Sequence, residues 1–259
     1  MAGYPYRAAH RSVSAMANDE TPPGGPGPAP GPGTIRLERD EVVRLTALAT
    51  GDEKHAASSA STLDVLVVLY GRVLRVDPAR PDWEGRDRFV LSKGHGCAAF
   101  YAVLCASGFF PEDWLPTFTR AGSPLGSHPD RALVPGAEAS TGSLGHGLAM
   151  SVGIATALRA KGLSEPRVVC LTGDAELNEG SNWEAILLAP HLGLSNLTLV
   201  VIDNHSSSIE MAPWEARLGS FGWHAEVVDG REHDGLERAL VRPAGRSGPS
   251  AIVADIPRT

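Results

Sequence analysis

The sequence predicts an α/β protein in which a parallel β-sheet is covered by helices on both faces. Short, almost wholly apolar segments alternate along the chain with longer amphipathic segments, and several apolar segments end in Gly, Asp or Asn. Strands buried on both faces produce such continuous apolar runs, whereas strands with one face in water alternate polar and apolar residues. The chain has 259 residues, 42% of them hydrophobic, which is enough for one sizeable α/β domain or two small ones.

The N-terminal part of the chain has a composition that cannot form a folded core. Residues 21–33 read TPPGGPGPAPGPG, in which 11 of 13 residues are proline or glycine. Proline lacks a backbone N–H and glycine buries no apolar side chain, so helix, strand and core are all disfavoured there. We therefore expect residues 1–33 to be a disordered leader and residues 34–259 to form the folded domain. Residues 1–20 lack the apolar stretch of a signal peptide.

The folded part is predicted to alternate helices and strands. Amphipathic or small-residue patterns predict helices at Asp40–Thr50, Ser61–Leu74, Cys97–Ser107, Ser143–Lys161 and Glu179–His191. Apolar runs predict strands at Arg167–Thr172, Leu197–Ile202, Ala225–Val228 and Ser250–Ala254. Ligands of parallel sheets bind outside the carboxyl ends of the strands, so the residues that follow each strand are the first candidates for a site.

Charge and hydropathy argue against two classes of partner. The formal net charge is -7 and no basic stripe occurs, which disfavours nucleic acid. The longest apolar runs, such as Val65–Tyr70, are far shorter than the about 20 residues that a membrane-spanning helix needs. The three cysteines, Cys97, Cys105 and Cys170, lack CxxC spacing and are predicted to be reduced, buried thiols of a cytoplasmic protein.

Two predicted strands end in polar residues that suit one metal ion. Gly173-Asp174-Ala175 follows the first, and Asp203-Asn204 follows the next, with 30 positions between Asp174 and Asn204. One strand–helix–strand crossover spans that distance and brings both strand ends to the same edge of the sheet. Carboxylate and amide oxygens are ligands that Mg²⁺ takes in proteins. Taken alone, the pair is more often ordinary turn chemistry, and that alternative stays open at this point.

The two strand ends form one of six sequence blocks that follow each other along the chain. The block at the strand ends is GDAELNEGSNWEA (173–185) with LTLVVIDN (197–204). The others are KHAASSAS (54–61), RDRFVLSKGH (86–95), GSHPD (126–130), STGSLGHG (140–147) and DGREHD (229–234). In this order they resemble the transketolases, which use thiamine diphosphate, over roughly residues 40–240. The WEA variant and the chain length resemble the separate N-terminal subunits of two-component transketolases.

The resemblance implies a thiamine-diphosphate-binding fold and a set of site residues. Asp174, Asn204 and the backbone carbonyl of Ser206 would hold Mg²⁺, which anchors the diphosphate. His95 would contact the diphosphate, and His128 would bind the C1 hydroxyl of the donor. His55 and His233 would lie near the donor's C3 hydroxyl, where a proton leaves as the C2–C3 bond breaks. The other cofactor contacts would come from Gly142, Ser143, Leu144, Gly173, Ala175 and Glu179.

These assignments have structural alternatives, and the chain departs from the family's pattern in places. A single histidine is more often a surface or hydrogen-bonded side chain, and Glu179 and Glu184 fit a solvated helix face equally well. Ala57 and Ser58 replace two glycines, Ala175 and His146 replace a Gly and a Gln, the loop His205–Ser208 is more polar, and Arg231 and Glu232 are inserted before His233. Several of these departures line the expected substrate entrance.

The resemblance implies a transferase that moves a two-carbon ketol unit from a ketose phosphate to an aldehyde. In the family, a second domain supplies the glutamate that activates the cofactor and the arginines that bind the sugar phosphate. We expect a separate subunit to supply it, in an α₂β₂ assembly, and activity only in that assembly. Two alternatives stay open: transfer of the same unit to a lipoyl or carrier-protein thiol, and a degenerate subunit with a regulatory or assembly role.

Overall fold

The computed structural model describes residues 35–52, 55–241 and 247–257, which fall within one compact unit. The leader predicted at residues 1–33 lies outside the described residues. Five strands occur in the described part of the chain: β1 (Arg88–Leu91), β2 (Val168–Gly173), β3 (Leu197–Asp203), β4 (His224–Asp229) and β5 (Ser250–Asp255). They form one sheet in the order β1-β2-β3-β5-β4, and every neighbouring pair is parallel. The predicted parallel sheet is therefore confirmed.

Helices connect these strands. In the described residues they are α1 (Arg39–Thr46), α2 (Ala56–Val68), α3 (Cys97–Ala106), α4 (His146–Ala160), α5 (Gly180–His191), α6 (Trp214–Ser220) and α7 (His233–Leu240). A π-helical turn, Leu69–Val73, extends α2. Short 3₁₀ segments lie at Gly94–Gly96, Glu112–Thr117 and Ala175–Asn178.

Helices cover both faces of the sheet, as the sequence predicts. Phe89 and Val169 point to the face that carries α1, α2, α3 and α7. Their neighbours in the chain, Val90 and Val168, point to the face that carries α4, α5 and α6. Successive side chains of a strand point to opposite faces, so a strand covered on both faces must be apolar at every position. This is why β1, β2 and β3 read as unbroken apolar runs.

Two helices begin three or more residues away from their predicted starts. Helix α2 begins at Ala56 rather than Ser61, and within it the buried hydroxyls of Ser61 and Thr62 bond to the carbonyl of Ser58. Small polar residues thus occupy buried positions that an apolar pattern does not reveal. Helix α4 begins at His146 rather than Ser143, because Gly145 has φ of 85°, a left-handed conformation that a helix cannot include.

Three elements have no counterpart in the predicted set: β1, α6 and α7. Strand β1 has only four residues and α6 only seven, and such short segments give a weak periodic signal. Helix α7 has a recognisable start, since the side chain of Glu232 accepts hydrogen bonds from the amides of Asp234 and Gly235 at 2.9 and 2.6 Å. A capping side chain one position before a helix is the local signal that could have revealed it.

The structure also bears on membrane insertion and on the cysteines. In the ranges that the structure covers, no helix is both long and apolar enough to cross a bilayer. None of the three cysteines forms a disulfide; Cys97 and Cys170 are buried and Cys105 is half-buried.

A buried carboxylate joins the amino ends of β1 and β2. The side chain of Asp87 is fully buried and accepts hydrogen bonds from the backbone amides of Arg75 and Arg167 at 2.9 and 2.8 Å. The guanidinium of Arg167 lies 2.8 Å from the same carboxylate. Asp87 thereby fixes the connection from α2 to β1 against the start of β2, and with it the register in which the carboxyl ends of these strands meet.

We expect Asp87→Ala to lower the free energy of unfolding by roughly 2–3 kcal/mol, because it leaves two buried amide groups and a half-buried guanidinium without their acceptor. Chemical denaturation of the purified chain measures this. Asp82→Ala removes an exposed carboxylate five positions earlier and is expected to change stability by less than about 0.5 kcal/mol. Equal effects of the two variants would contradict the role given to Asp87.

Candidate active site

The carboxyl ends of β1, β2 and β3 bring the predicted site residues to one edge of the sheet. Asp174 directly follows β2, and its amide donates a hydrogen bond to the carbonyl of Ile202 near the end of β3, at 2.9 Å. Asn204 follows β3, and His95 lies four residues after β1. The crossover predicted from the spacing of Asp174 and Asn204 therefore joins adjacent strands.

The carboxylate of Asp174 holds the loop that follows β3. It is 1% exposed and accepts hydrogen bonds from the amide and the hydroxyl of Ser206, both at 2.6 Å. The amides of Ser207 and Ala175 add bonds at 3.0 and 2.8 Å. Ser206 thus contacts Asp174 through its amide and hydroxyl, whereas the family resemblance implies a role for its carbonyl.

Asn204 has an amide oxygen that is available for a cation. Its Oδ1 atom is buried and accepts no hydrogen bond from any described residue, while its Nδ2 atom lies 3.5 Å from the hydroxyl of Ser61. Buried polar atoms in proteins almost always have a partner. A hard oxygen without a donor, next to a strand end that carries a buried carboxylate, has the chemistry of a Mg²⁺ ligand.

Three of the predicted histidines form a cluster. The rings of His55 and His95 are stacked with centroids 4.3 Å apart, and His128 lies 5.5 Å from His95 and 6.3 Å from His55. Tyr101 on α3 positions the His128 loop, since its hydroxyl lies 2.9 Å from the carbonyl oxygens of both Gly126 and His128. These side chains come from three segments that are distant in sequence.

Glycines allow these segments to approach each other. A Cβ atom on Gly94 would lie 2.9 Å from both the Cα of Gly142 and the ring of His128. A Cβ atom on Gly142, whose φ is 132°, would lie 2.7 Å from the same ring. Side chains larger than glycine at either position would therefore displace His128 from His95.

The environment of His95 favours the neutral form of its imidazole. Burial lowers the pKa of His95, and the neighbouring His55, His128 and Lys93 lower it further, against an opposing effect of Asp52. His55 has a different partner, since its Nδ1 atom lies 2.7 Å from the carboxylate of Asp52. A carboxylate at Nδ1 fixes the tautomer that leaves Nε2 as a proton acceptor.

Two buried charged residues of the site were not among the predicted ones. Lys93 is 6% exposed and donates to the hydroxyls of Ser61 and Thr62 at 2.8 and 3.2 Å. Burial lowers the pKa of Lys93 to about 8, although the carboxylates of Asp174 and Glu176 oppose this. Its position inside the LSKGH block, between β1 and His95, is the signal that could have identified it.

The second is Glu176, which is 2% exposed. Its carboxylate accepts hydrogen bonds from the hydroxyl of Ser92 at 2.5 Å and from the amides of Gly145 and Gly173 at 3.0 and 3.3 Å. Burial raises the pKa of Glu176, and these three donors oppose the increase. A glutamate between Ala175 and Leu177 gives no local sign that it is buried.

His233 lies beside Asp64 and two arginines. It begins α7, and its Nε2 atom is 2.9 Å from Oδ1 of Asp64, a carboxylate that is 2% exposed. Arg39 and Arg231 bind the same carboxylate at 2.6 and 2.9 Å. The ring contacts described above join His55, His95 and His128, so the catalytic role assigned to His233 stays a prediction.

The remaining predicted cofactor contacts surround the strand ends. Gly173 is buried at the end of β2 and Ala175 is half-buried behind Asp174. Gly142, Ser143 and Leu144 lie in the turn before α4, where Ser143 is exposed. Glu179 is exposed, and its Cβ atom would lie 2.6 Å from a Cβ atom on Gly145.

The chain matches one family over most of its length. The model described as "Transketolase, thiamine diphosphate binding domain" matches residues 38–254. One of the subunits of the apulose-4-phosphate transketolase from Actinobacillus succinogenes is 36% identical over 213 residues, or 78% of this chain and 75% of that protein. A 6-deoxy-6-sulfo-D-fructose transketolase subunit from a Clostridium species is 36% identical over 206 residues, or 77% and 74%.

A further relative has a name of a different kind. The protein named Ferredoxin fas2, from Rhodococcoides fascians, is 44% identical over 220 residues, which is 85% of this chain and 72% of that protein. Iron–sulfur clusters of ferredoxins are held by four cysteine thiolates, and this sequence contains three cysteines. The cysteines present are one fewer than such a cluster takes.

Solved transketolases have the same fold. The enzyme from Leishmania mexicana superimposes with a TM-score of 0.73 at 28% identity, covering 85% of this chain and 36% of that one. The enzyme from Pichia stipitis in complex with sedoheptulose 7-phosphate gives a TM-score of 0.73 at 28% identity, covering 84% and 36%. This chain thus spans about a third of the length of the solved transketolases.

The lowered pKa of His95 predicts a pH dependence of stability. At pH values between that pKa and the ordinary histidine pKa of about 6.5, the unfolded chain binds a proton at His95 that the folded chain does not. His95 therefore contributes stability that is fully present above about pH 6.5 and is lost as the pH falls through the folded pKa. Chemical denaturation between about pH 7.5 and 5 measures the slope.

His95→Asn is expected to reduce this slope, and His191→Asn, which changes an exposed histidine at the end of α5, is the matched control. If the wild type and His95→Asn lose stability equally over this pH range, then the folded site does not disfavour a charged His95.

Proposed function

Since this chain belongs to the transketolase family, we propose that it is the thiamine-diphosphate-binding subunit of a two-subunit transketolase, which transfers a two-carbon ketol unit from a ketose phosphate to an aldehyde. The observation that carries this proposal is the pairing of a buried carboxylate, Asp174, with the unpartnered oxygen of Asn204 at adjacent strand ends. Two relatives that are named as transketolase subunits support the division into two chains.

The residues present fit a Mg²⁺ ion and a diphosphate. Asp174 and Asn204 would each give the ion one oxygen, and phosphate oxygens would complete its octahedral shell. Ser206 would give a third ligand. Its carbonyl would serve if the backbone of the loop after β3 changes conformation, and its hydroxyl, which lies 2.6 Å from Asp174, would serve otherwise. The buried ammonium of Lys93 would balance part of the diphosphate charge, because it is mostly protonated at neutral pH with a pKa of about 8.

When bound, thiamine diphosphate supplies the nucleophilic carbon that carries the ketol unit. The chain's own residues would manage protons around it. His55, held at Nδ1 by Asp52, would accept at Nε2 the proton that leaves the donor's C3 hydroxyl. His128 would bind the C1 hydroxyl. His95, whose pKa is lowered by burial and by the neighbouring cations, would donate a hydrogen bond to the diphosphate.

A separate subunit would complete the site. Helix α5 begins seven residues after β2 and exposes Leu187 and Leu188 at 62% and 44%, and Leu192, directly after it, is exposed at 36%. Exposed apolar side chains grouped on one surface are typical of protein interfaces. We propose that this surface of α5 contacts the subunit that covers the cofactor, in an α₂β₂ assembly. Transfer to a lipoyl or carrier-protein thiol stays an alternative acceptor chemistry.

Titration calorimetry tests the cofactor site. We expect thiamine diphosphate with Mg²⁺ to bind to the chain mixed with its partner subunit, and Asp174→Ala or Asn204→Ala to weaken binding at least about 100-fold, because each removes a metal ligand. Asp113→Ala removes an exposed carboxylate outside the site and is expected to bind as the wild type does. No binding in either the lone chain or the mixture would overturn the proposal and favour a regulatory or assembly role.

The proposed interface gives a separate expectation. Leu187→Lys places a charge in the apolar surface and is expected to weaken association between the two subunits by a factor of at least about ten. Leu133→Lys changes a leucine of similar exposure, 53%, in a loop outside α4 and α5, and is expected to leave association unchanged. Light scattering of the mixed subunits measures both. An unchanged assembly in Leu187→Lys would remove this surface from the interface.

A further inference from the structure

We propose that a cavity at the amino end of β1 binds a small zwitterion of the amino acid class that has an uncharged polar side chain. The cavity lies away from the candidate active site, because it borders Asp87 and Phe89 at the start of β1, whereas the predicted site residues lie at the carboxyl ends of the strands. The inference is independent of the proposed ketol transfer. It is carried by the volume of the cavity, and by a buried hydroxyl and two opposite charges that no described residue binds.

The cavity has a volume of about 240 Å³. Most of its lining residues come from two segments, 76–89 and 131–138. The second segment packs closely on the cavity's aromatic side chains, since a Cβ atom on Gly136 would lie 2.8 Å from the ring of Phe109. The volume corresponds to about eight water molecules at their share of the liquid, so it suits a ligand of roughly eight to ten non-hydrogen atoms.

The hydroxyl of Tyr70 is available as a hydrogen-bond donor in this cavity. Tyr70 lines the cavity and is only 3% exposed, and its ring packs edge-on against Phe89 with centroids 5.6 Å apart. Its hydroxyl makes no hydrogen bond to any described residue. Burial raises the pKa of Tyr70, and the carboxylate of Glu138 raises it further, so the hydroxyl stays protonated. Buried polar groups almost always have a partner, and a ligand with an acceptor atom would supply one here.

Four charged side chains of the lining already have partners in the protein. Asp87 belongs to the buried network described above, and Asp77 accepts a hydrogen bond from Arg80 at 2.7 Å. Arg86 and Glu138 bind each other at 2.8 Å. A further full charge on the ligand beside these pairs would lack a counter-charge and would cost free energy. The part of the ligand that contacts the hydroxyl is therefore polar but uncharged.

Two other charged side chains of the lining have opposite signs and bind no described residue. Asp82 and Arg131 both line the cavity and are exposed, and neither side chain makes a hydrogen bond or ion pair within the described ranges. A ligand ammonium would bind the carboxylate, and a ligand carboxylate would bind the guanidinium. An α-amino acid carries both groups, whereas a simple anion or cation would use only one of the two side chains.

L-Glutamine combines these properties and serves as the probe. It is a zwitterion of suitable size, and the oxygen of its side-chain amide would accept the hydrogen bond from Tyr70. Three analogues each lack one feature: 4-carbamoylbutanoate has no ammonium group, 4-aminobutanamide has no carboxylate, and L-norvaline has a methyl group in place of the amide. In titration calorimetry of the full chain, we expect L-glutamine to bind at least about fivefold more tightly than each analogue.

Single substitutions assign each contact. Tyr70→Phe keeps the ring and is expected to bind L-glutamine and L-norvaline equally. Arg131→Gln is expected to weaken L-glutamine about tenfold and to leave 4-aminobutanamide unchanged, and Asp82→Asn to weaken L-glutamine equally and to leave 4-carbamoylbutanoate unchanged. Arg120→Gln and Asp113→Asn change exposed residues outside the cavity and are the matched controls. The proposal is overturned by an absence of L-glutamine binding, by equal binding of L-glutamine and its analogues, or by wild-type affinity in Arg131→Gln.

Discussion

The candidate site depends on one buried interaction, the carboxylate of Glu176. It accepts hydrogen bonds from Ser92 after β1, from Gly173 at the end of β2 and from Gly145 before α4. Two of these segments continue directly into site residues: Ser92 into Lys93, and Gly173 into Asp174. If the carboxylate were removed, two amides and one hydroxyl would lose their acceptor inside the protein. No shared acceptor would then hold the three segments together.

A carboxylate in such a position is stable only with the partners that surround it. Burial disfavours its charge, and three donors together with the nearby ammonium of Lys93 oppose that effect. Lys93 is in turn held by Ser61 and Thr62 on α2. These two buried side chains thus tie the sheet edge to helices on both of its faces. They also place a positive charge close to Asp174, where the proposed diphosphate and metal need compensating charges.

The histidine cluster links this edge to a cavity between α1 and α2. His95 and His128 approach each other because Gly94 and Gly142 lack side chains, and His55 stacks on His95 from the start of α2. His55 and His95 also line the cavity. The same two imidazoles therefore border both the strand ends and this cavity.

Local sequence patterns are enough to predict the layered fold and the meeting of the two strand ends at the proposed metal site. Unbroken apolar runs require a doubly covered parallel sheet, and a spacing of one crossover makes Asp174 and Asn204 neighbours. The burial of Glu176 and Lys93 depends on tertiary packing, and so does the pairing of His233 with Asp64 rather than with the other histidines. Asp64 and His233 are 169 positions apart, and a polar residue on an amphipathic helix looks the same in sequence whether it faces water or a distant cation. Such partners are set by how the helices pack on the sheet, which no local pattern records.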